Sequence, residues 1–172
     1  KITKKYDILL IADEVQTGFC RTGKFWGVDH YNVVPDILNM AKGINSGFLP
    51  CGAVGVSDKI VNAFPKGQPF KGYTTSDANA LCVASARAAL KVYTEQKMAD
   101  RVAQLGAQLN RRFQAEFLPL PVVDDITGKN RGLYQSFAIG LSKTTEQPYD
   151  MAATAEARNF LAAKALEKGV LL

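Results

Sequence analysis

Apolar residues run unbroken from Ile8 to Ala12 and stop at Asp13-Glu14, which predicts a short buried strand with acids at its C-terminal end. The following TGFCRTGKFWG holds three glycines and reads as turns. DILNM, from Asp36, reads as a second strand leading into a tight turn rich in glycine. CGAVGVS then alternates like a strand that pairs back as a hairpin. Ser57-Asp58 predicts the start of a helix over 59–64, and residues 65–77 read as loop. An Ala-rich helix is expected over about 78–93. A second is expected over about 96–117, with Val102, Leu105, Leu109 and Phe113 at helical spacing and Pro119 and Pro121 ending it. Strand-like pieces follow at 122–126 and 133–139, then a helix over 154–168 closed by Gly169. This order predicts an α/β region followed by an α+β region, with the boundary near Tyr93.

Composition narrows the picture modestly. The 172 residues are 47% hydrophobic and 22% charged, an ordinary globular balance. No apolar run is long enough for a membrane helix. The net charge of +5 comes from scattered lysines and arginines without interleaved aromatics, so a solvated surface explains it better than nucleic acid, and a ligand bearing phosphate would suit it. Cys20, Cys51 and Cys82 are odd in number and widely spaced, which fits a reducing compartment such as the cytoplasm rather than a disulfide framework. With His30 the single histidine, no His-rich metal site is expected. The chain opens at the lip of a core strand and stops in GVLL, which reads as the start of another, so it is expected to be an internal piece.

Three segments could carry chemistry. In LLIADEVQ an acid stands just past a buried strand, where open α/β sheets place their ligands. A metal strand of a P-loop ATPase, a cofactor-binding aspartate and a plain strand-end acid all fit that motif. In NMAKGINSGFLPCGA, Lys42 sits near a strand end inside a glycine-rich loop. Glycine permits close backbone approach to a ligand, and apolar walls would favour a neutral, nucleophilic amine. Most lysines beside glycine, however, are simply exposed in turns. In GYTTSDANAL, hydroxyls of Thr74, Thr75 and Ser76 precede a helix start, an anion site or merely a cap.

Taken together the three are far more specific. DEVQTGFCRTG, then AKG with Lys42 twenty-nine positions after Asp13, then GYT before an Ala-rich helix, closely resembles the class III (omega-type) aminotransferases that use pyridoxal 5'-phosphate. The likeness covers most of residues 6–117, weakens over 118–150 and returns in LAAKALEKGVLL. It implies the fold type I architecture of pyridoxal-phosphate transferases, with residues 1–93 part of the large cofactor-binding domain and 94–172 part of the C-terminal small domain. It also implies transfer of an amino group from an amine or omega-amino acid to a 2-oxo acid such as pyruvate or 2-oxoglutarate. Lys42 would be the Schiff-base lysine and proton shuttle, and Asp13 the partner of the ring nitrogen. Val15 would pack on the ring, Gln16 would bond its phenolic oxygen, and Thr74 would bind phosphate, in this family usually that of the neighbouring subunit of a homodimer.

The chain departs from the family pattern at Cys20 and Cys51, at Asp77-Ala78-Asn79, and in GKNRGLYQSF, which differs from the usual Arg-Gly-x-Gly turn. None of these removes a catalytic group. The family's upstream phosphate cup, its ring-stacking aromatic and the arginine for the substrate carboxylate have no counterpart in the chain. It is therefore expected to be inactive alone. A decarboxylase or aminomutase of the same fold shares these residues. A P-loop ATPase gives no role to Lys42 or to the GYTT segment, and a non-catalytic remnant is the fourth reading.

Overall fold

Backbone pairing of three short strands builds the first sheet. In the computed structural model, which describes residues 2–68, 72, 74–120, 123–129, 131–139 and 151–169, a short helix α1 (Ile2–Lys5) precedes β1 (Ile11–Asp13). β1 runs parallel to β2 (Ile37–Met40), with Ile11 opposite Ile37 and Asp13 opposite Asn39. β3 (Ala53–Val56) returns antiparallel to β2, completing the expected hairpin in the order β1-β2-β3. Asp36 ties the entries of β1 and β2 to the end of β3. Its Oδ2 accepts from the Leu10 N–H at 2.8 Å, its own N–H donates to the Leu10 carbonyl at 2.8 Å, and its carbonyl accepts from Ser57 N–H at 2.8 Å.

Two expectations fail here. The first strand begins at Ile11 rather than Ile8, and it is not buried: Ile8, Leu9 and Ile11 are 54%, 46% and 58% exposed. Its apolar run encodes a demand for burial, but burial needs covering layers, and the described residues supply β2 along one edge only. The helix after Ser57 is a single turn, α2 (Asp58–Val61), and the Ser57 hydroxyl makes no cap bond.

α3 (Ala80–Glu95) begins two residues later than expected. Ala78 has φ +54°, outside the helical basin, and Asn79 supplies the cap, its Oδ1 accepting from Leu81 and Cys82 N–H. α4 (Met98–Arg112) continues into a wider turn over Phe113–Phe117, matching the expected end. Its buried stripe differs from the expected one. Val102, Gly106 and Asn110 are buried, whereas Leu105 is 42% exposed. What α4 faces decides this: Gly106 lies so close to the Gly132 backbone that a methyl group would not fit, and Asn110 donates to the Gln135 amide oxygen at 3.0 Å. β4 (Val123–Thr127) and β5 (Ser136–Ile139) pair antiparallel as a second sheet, and α5 (Met151–Glu167) lies against β5. The last three residues of GVLL lie outside the described residues.

Candidate active site

Glu14, immediately past β1, organises the site. It is 2% exposed. Its Oε1 accepts from Val28 N–H at 2.8 Å, and its Oε2 from Gly27 N–H at 2.8 Å and from the Thr17 hydroxyl at 2.5 Å. Those two amides open the 3-10 helix Gly27–Tyr31, where free N–H groups point outward and attract an anion. One carboxylate thus closes the loop over 14–28 onto the end of β1. In the sequence Glu14 stands out only as the neighbour of Asp13. The available signal was an acid directly after an apolar run, followed by a turn-rich stretch with many free amides.

The closed loop throws Phe19 inward. Phe19 and Cys20 hold φ of +57° and +72°, left-handed values that non-glycine residues keep only when their surroundings enforce them. Here aromatic packing does so: the Phe19 ring meets Trp26 edge-on at 4.9 Å and Phe25 at 5.9 Å. Phe19 also presses on Gly43, where a Cβ would stand 2.8 Å from that of Phe19, so only glycine fits. Phe19, Ile44 and Ala86 form the core of this half, joined by Met40, Leu90 and Tyr93.

Since the loop after β1 packs on the turn after β2, their exposed residues share one hollow. A cavity of about 630 Å³ is lined by Val15, Gln16, Lys42, Gly43, Ser46 and Tyr93, among others. Lys42 opens the 3-10 turn Lys42–Asn45 with φ +42°, and its side chain is exposed. Tyr134, from the turn before β5, reaches back to donate to the Gln16 amide oxygen at 3.4 Å.

The other two expected residues are not gathered there. Asp13 is exposed and lines a neighbouring cavity with Glu14, Thr22, His30 and Arg131, Tyr134 forming part of both walls. Its Oδ1 accepts from Val15 N–H at 3.0 Å, and Oδ2 has no hydrogen-bond partner among the described residues. Thr74 lines neither cavity; its N–H and hydroxyl both close on the Asp77 carboxylate, at 2.7 and 2.8 Å, and hold that carboxyl below its ordinary value. At the start of α3 the N–H groups of Leu81 and Cys82 are taken by Asn79 Oδ1, the capping arrangement.

The profile of the aminotransferase class-III family matches residues 1–172. The chain belongs to the class-III aminotransferases. It is 35% identical to vanillin aminotransferase of Capsicum chinense over 161 residues, covering 88% of this chain and 34% of that protein. It is 39% identical to the mitochondrial gamma-aminobutyrate transaminase 1 of Oryza sativa subsp. indica over 142 residues, 80% of this chain and 27% of that one. The crystal structure of an S-selective transaminase from Arthrobacter sp. with alanine bound superposes with a TM-score of 0.88 at 32% identity, covering 99% of this chain and 38% of that one. The fold is therefore that of the fold type I transaminases. This class-III chain spans about a third of the length of the curated relatives it matches. Family membership sets aside the P-loop reading of the acid pair. Among the described residues no helix is long and apolar enough to cross a membrane, and no group of side chains is arranged to hold a metal ion.

Proposed function

We propose that this chain is the lysine-bearing part of a pyridoxal-phosphate-dependent aminotransferase that moves an amino group from an amine or omega-amino acid to a 2-oxo acid such as pyruvate or 2-oxoglutarate. The observation that carries the proposal is the hollow in which an exposed lysine amine, a primary amide and an apolar wall come together as Lys42, Gln16 and Val15. That donor set suits an aldehyde-bearing aromatic ring with a phenolic oxygen: an amine to bind the aldehyde carbon, an amide to bond the oxygen, and methyl groups to cover a face. Bound pyridoxal phosphate supplies an electron sink that lets a proton leave the carbon bearing the amino group.

Lys42 would hold the cofactor and, once displaced by substrate, move that proton with its freed amine. Asp13 would keep a proton on the ring nitrogen, and its unbonded Oδ2 leaves an acceptor for that task. Gln16 would donate to the phenolic oxygen; with its amide oxygen engaged by Tyr134, its NH2 is left free to do so. Thr74 would serve the phosphate bound by the neighbouring subunit of a homodimer, which agrees with its standing apart from the Lys42 hollow. We assign residues 1–93 to the cofactor domain and 94–172 to the small domain. The rest of the pocket, including the phosphate cup and the carboxylate-binding arginine, belongs to segments outside this chain. We place it in a reducing compartment such as the cytoplasm, a reading that widely spaced cysteines in odd number support.

Borohydride reduction of the cofactor-loaded protein, followed by peptide mapping, tests the assignment. Pyridoxyl mass is expected on Lys42, and label on a different lysine would overturn it.

A further inference from the structure

The turn that carries Lys42 is a strained object. Lys42 and Ser46, at its two ends, both adopt left-handed backbone, with φ of +42° and +58°, and neither is glycine. Left-handed backbone crowds the Cβ of any L-residue, so such a turn keeps its shape only when other contacts impose it. The contacts within the turn are local and are shared by many loops: Ser46 N–H to the Gly43 carbonyl, Gly47 N–H to the Lys42 carbonyl, and the Asn45 amide to the Leu49 carbonyl at 2.7 Å. Besides the packing of Phe19 on Gly43, one side chain reaches the turn from far away through hydrogen bonds. Tyr93, near the end of α3, donates its phenolic hydrogen to the Gly43 carbonyl at 2.7 Å. Its oxygen lies 2.6 Å from the Ser46 hydroxyl. With its hydrogen already committed to Gly43, Tyr93 must accept there and Ser46 must donate. The result is a directed relay, Ser46 to Tyr93 to Gly43, spanning the turn from its last residue to the one after the lysine. Tyr93, Ser46, Gly43 and Lys42 all line the same cavity.

We propose that Tyr93 is a positioning residue for Lys42: its phenol locks the 42–46 turn in the conformation that presents the lysine amine to the cofactor. The proposal rests on the functional reading above, and it assigns Tyr93 no contact with the reacting atoms. α3 acts as a rigid strut from which the hydroxyl reaches the turn. The Tyr93 ring is kept in place by its packing with Phe19, centroid to centroid 6.3 Å. Phenylalanine at this position keeps that packing and removes only the relay.

The test uses the full-length protein carrying these residues, in parent, Tyr93→Phe and Ser46→Ala forms. In the cofactor-free protein, amide hydrogen exchange of a peptide spanning 42–49 should quicken roughly 5-fold or more in Tyr93→Phe, because the turn opens locally. On adding pyridoxal 5'-phosphate, the rate at which visible absorption develops should fall about 10-fold, since a misplaced amine attacks the aldehyde poorly. The pH at which the bound cofactor's visible absorption changes should also move. Ser46→Ala should shift all three in the same direction by less, and the double variant should be no worse than Tyr93→Phe, as befits one relay. Should Tyr93→Phe prove unstable, Ser46→Ala carries the same three readouts. Exchange, capture rate and pH profile all within twofold of the parent would overturn the proposal, as would a lowered melting temperature with capture rate and pH profile unmoved. If borohydride labelling places the cofactor on another lysine, the functional reading itself fails; label on Lys42 with a normal Tyr93→Phe removes this proposal alone.

Discussion

Replacing Glu14 by glutamine keeps the volume of the side chain and changes only its charge and one acceptor. In the structure both carboxylate oxygens are fully used: Oε1 by Val28 N–H, Oε2 by Gly27 N–H and the Thr17 hydroxyl. A glutamine has one oxygen. Its best orientation places that oxygen where Oε2 stood, keeping two donors, and turns an NH2 toward Val28 N–H. Hydrogen bonds to an ionised group contribute about 1.5–3 kcal/mol, and a buried N–H left unpaired costs about 1–3 kcal/mol. The variant loses one such bond and weakens two others, so roughly 3 kcal/mol of stability should go. Glu14→Ala strands three donors at once, and about 4 kcal/mol is expected, moderated by water entering the space. Thr17→Val removes a single donor and should cost about 1 kcal/mol. Urea unfolding of the full-length protein, followed by the fluorescence of Trp26 within this loop, measures each step. At a slope of about 1–3 kcal/mol per molar urea, Glu14→Gln should lower the midpoint by about 1 M or more. A Glu14→Gln midpoint within about 0.2 M of the parent would refute the idea that this carboxylate closes the loop.

Other perturbations test the rest of the site. Gly43→Ala drives a methyl group against the Cβ of Phe19, which cannot swing away, so a loss of about 1–3 kcal/mol and weaker cofactor binding are expected in denaturation and cofactor titration. Asp13→Asn should leave the cofactor bound yet slow turnover about 10³-fold, because asparagine carries no charge to hold the ring-nitrogen proton; near-normal turnover argues against that role. Burial pushes the Cys20 thiol above its ordinary value, with partial relief from the Ala99 backbone. A raised acid costs nothing below its unfolded value, where both states are protonated, and destabilises the fold as pH rises through and beyond that value. Iodoacetamide should therefore label Cys20 after Cys51 and Cys82, and stability should decline on the alkaline side; early labelling of Cys20 at neutral pH contradicts the burial. Residues 1–172 expressed alone with pyridoxal 5'-phosphate should show no sustained amino transfer, and turnover at an enzyme-like rate would overturn the proposal that the pocket needs outside segments.

Local sequence determined the elements and the chemistry of the candidate residues. The β2–β3 hairpin, the long helices and the two strand segments after α4 follow from periodicity and breakers, because hydrogen bonds within a helix or hairpin depend on near neighbours. The motif around Lys42 was legible for the same reason: a lysine between alanine and glycine after a strand is a local pattern. Tertiary structure decided which of these residues meet. Nothing in the spacing of Glu14 and Gly27 announces that one carboxylate would cap the other's helix, since that bond needs the loop to fold back across thirteen positions. The Tyr93 relay joins residues fifty positions apart, and an aromatic late in an Ala-rich helix reads as core whether or not its hydroxyl has work to do. The stripe on α4 moved from Leu105 to Gly106 because the opposing surface is the Gly132 backbone, and a backbone can be approached closely only by a residue without a side chain. Periodicity records which residues prefer to be buried; the partner surface selects which of them are.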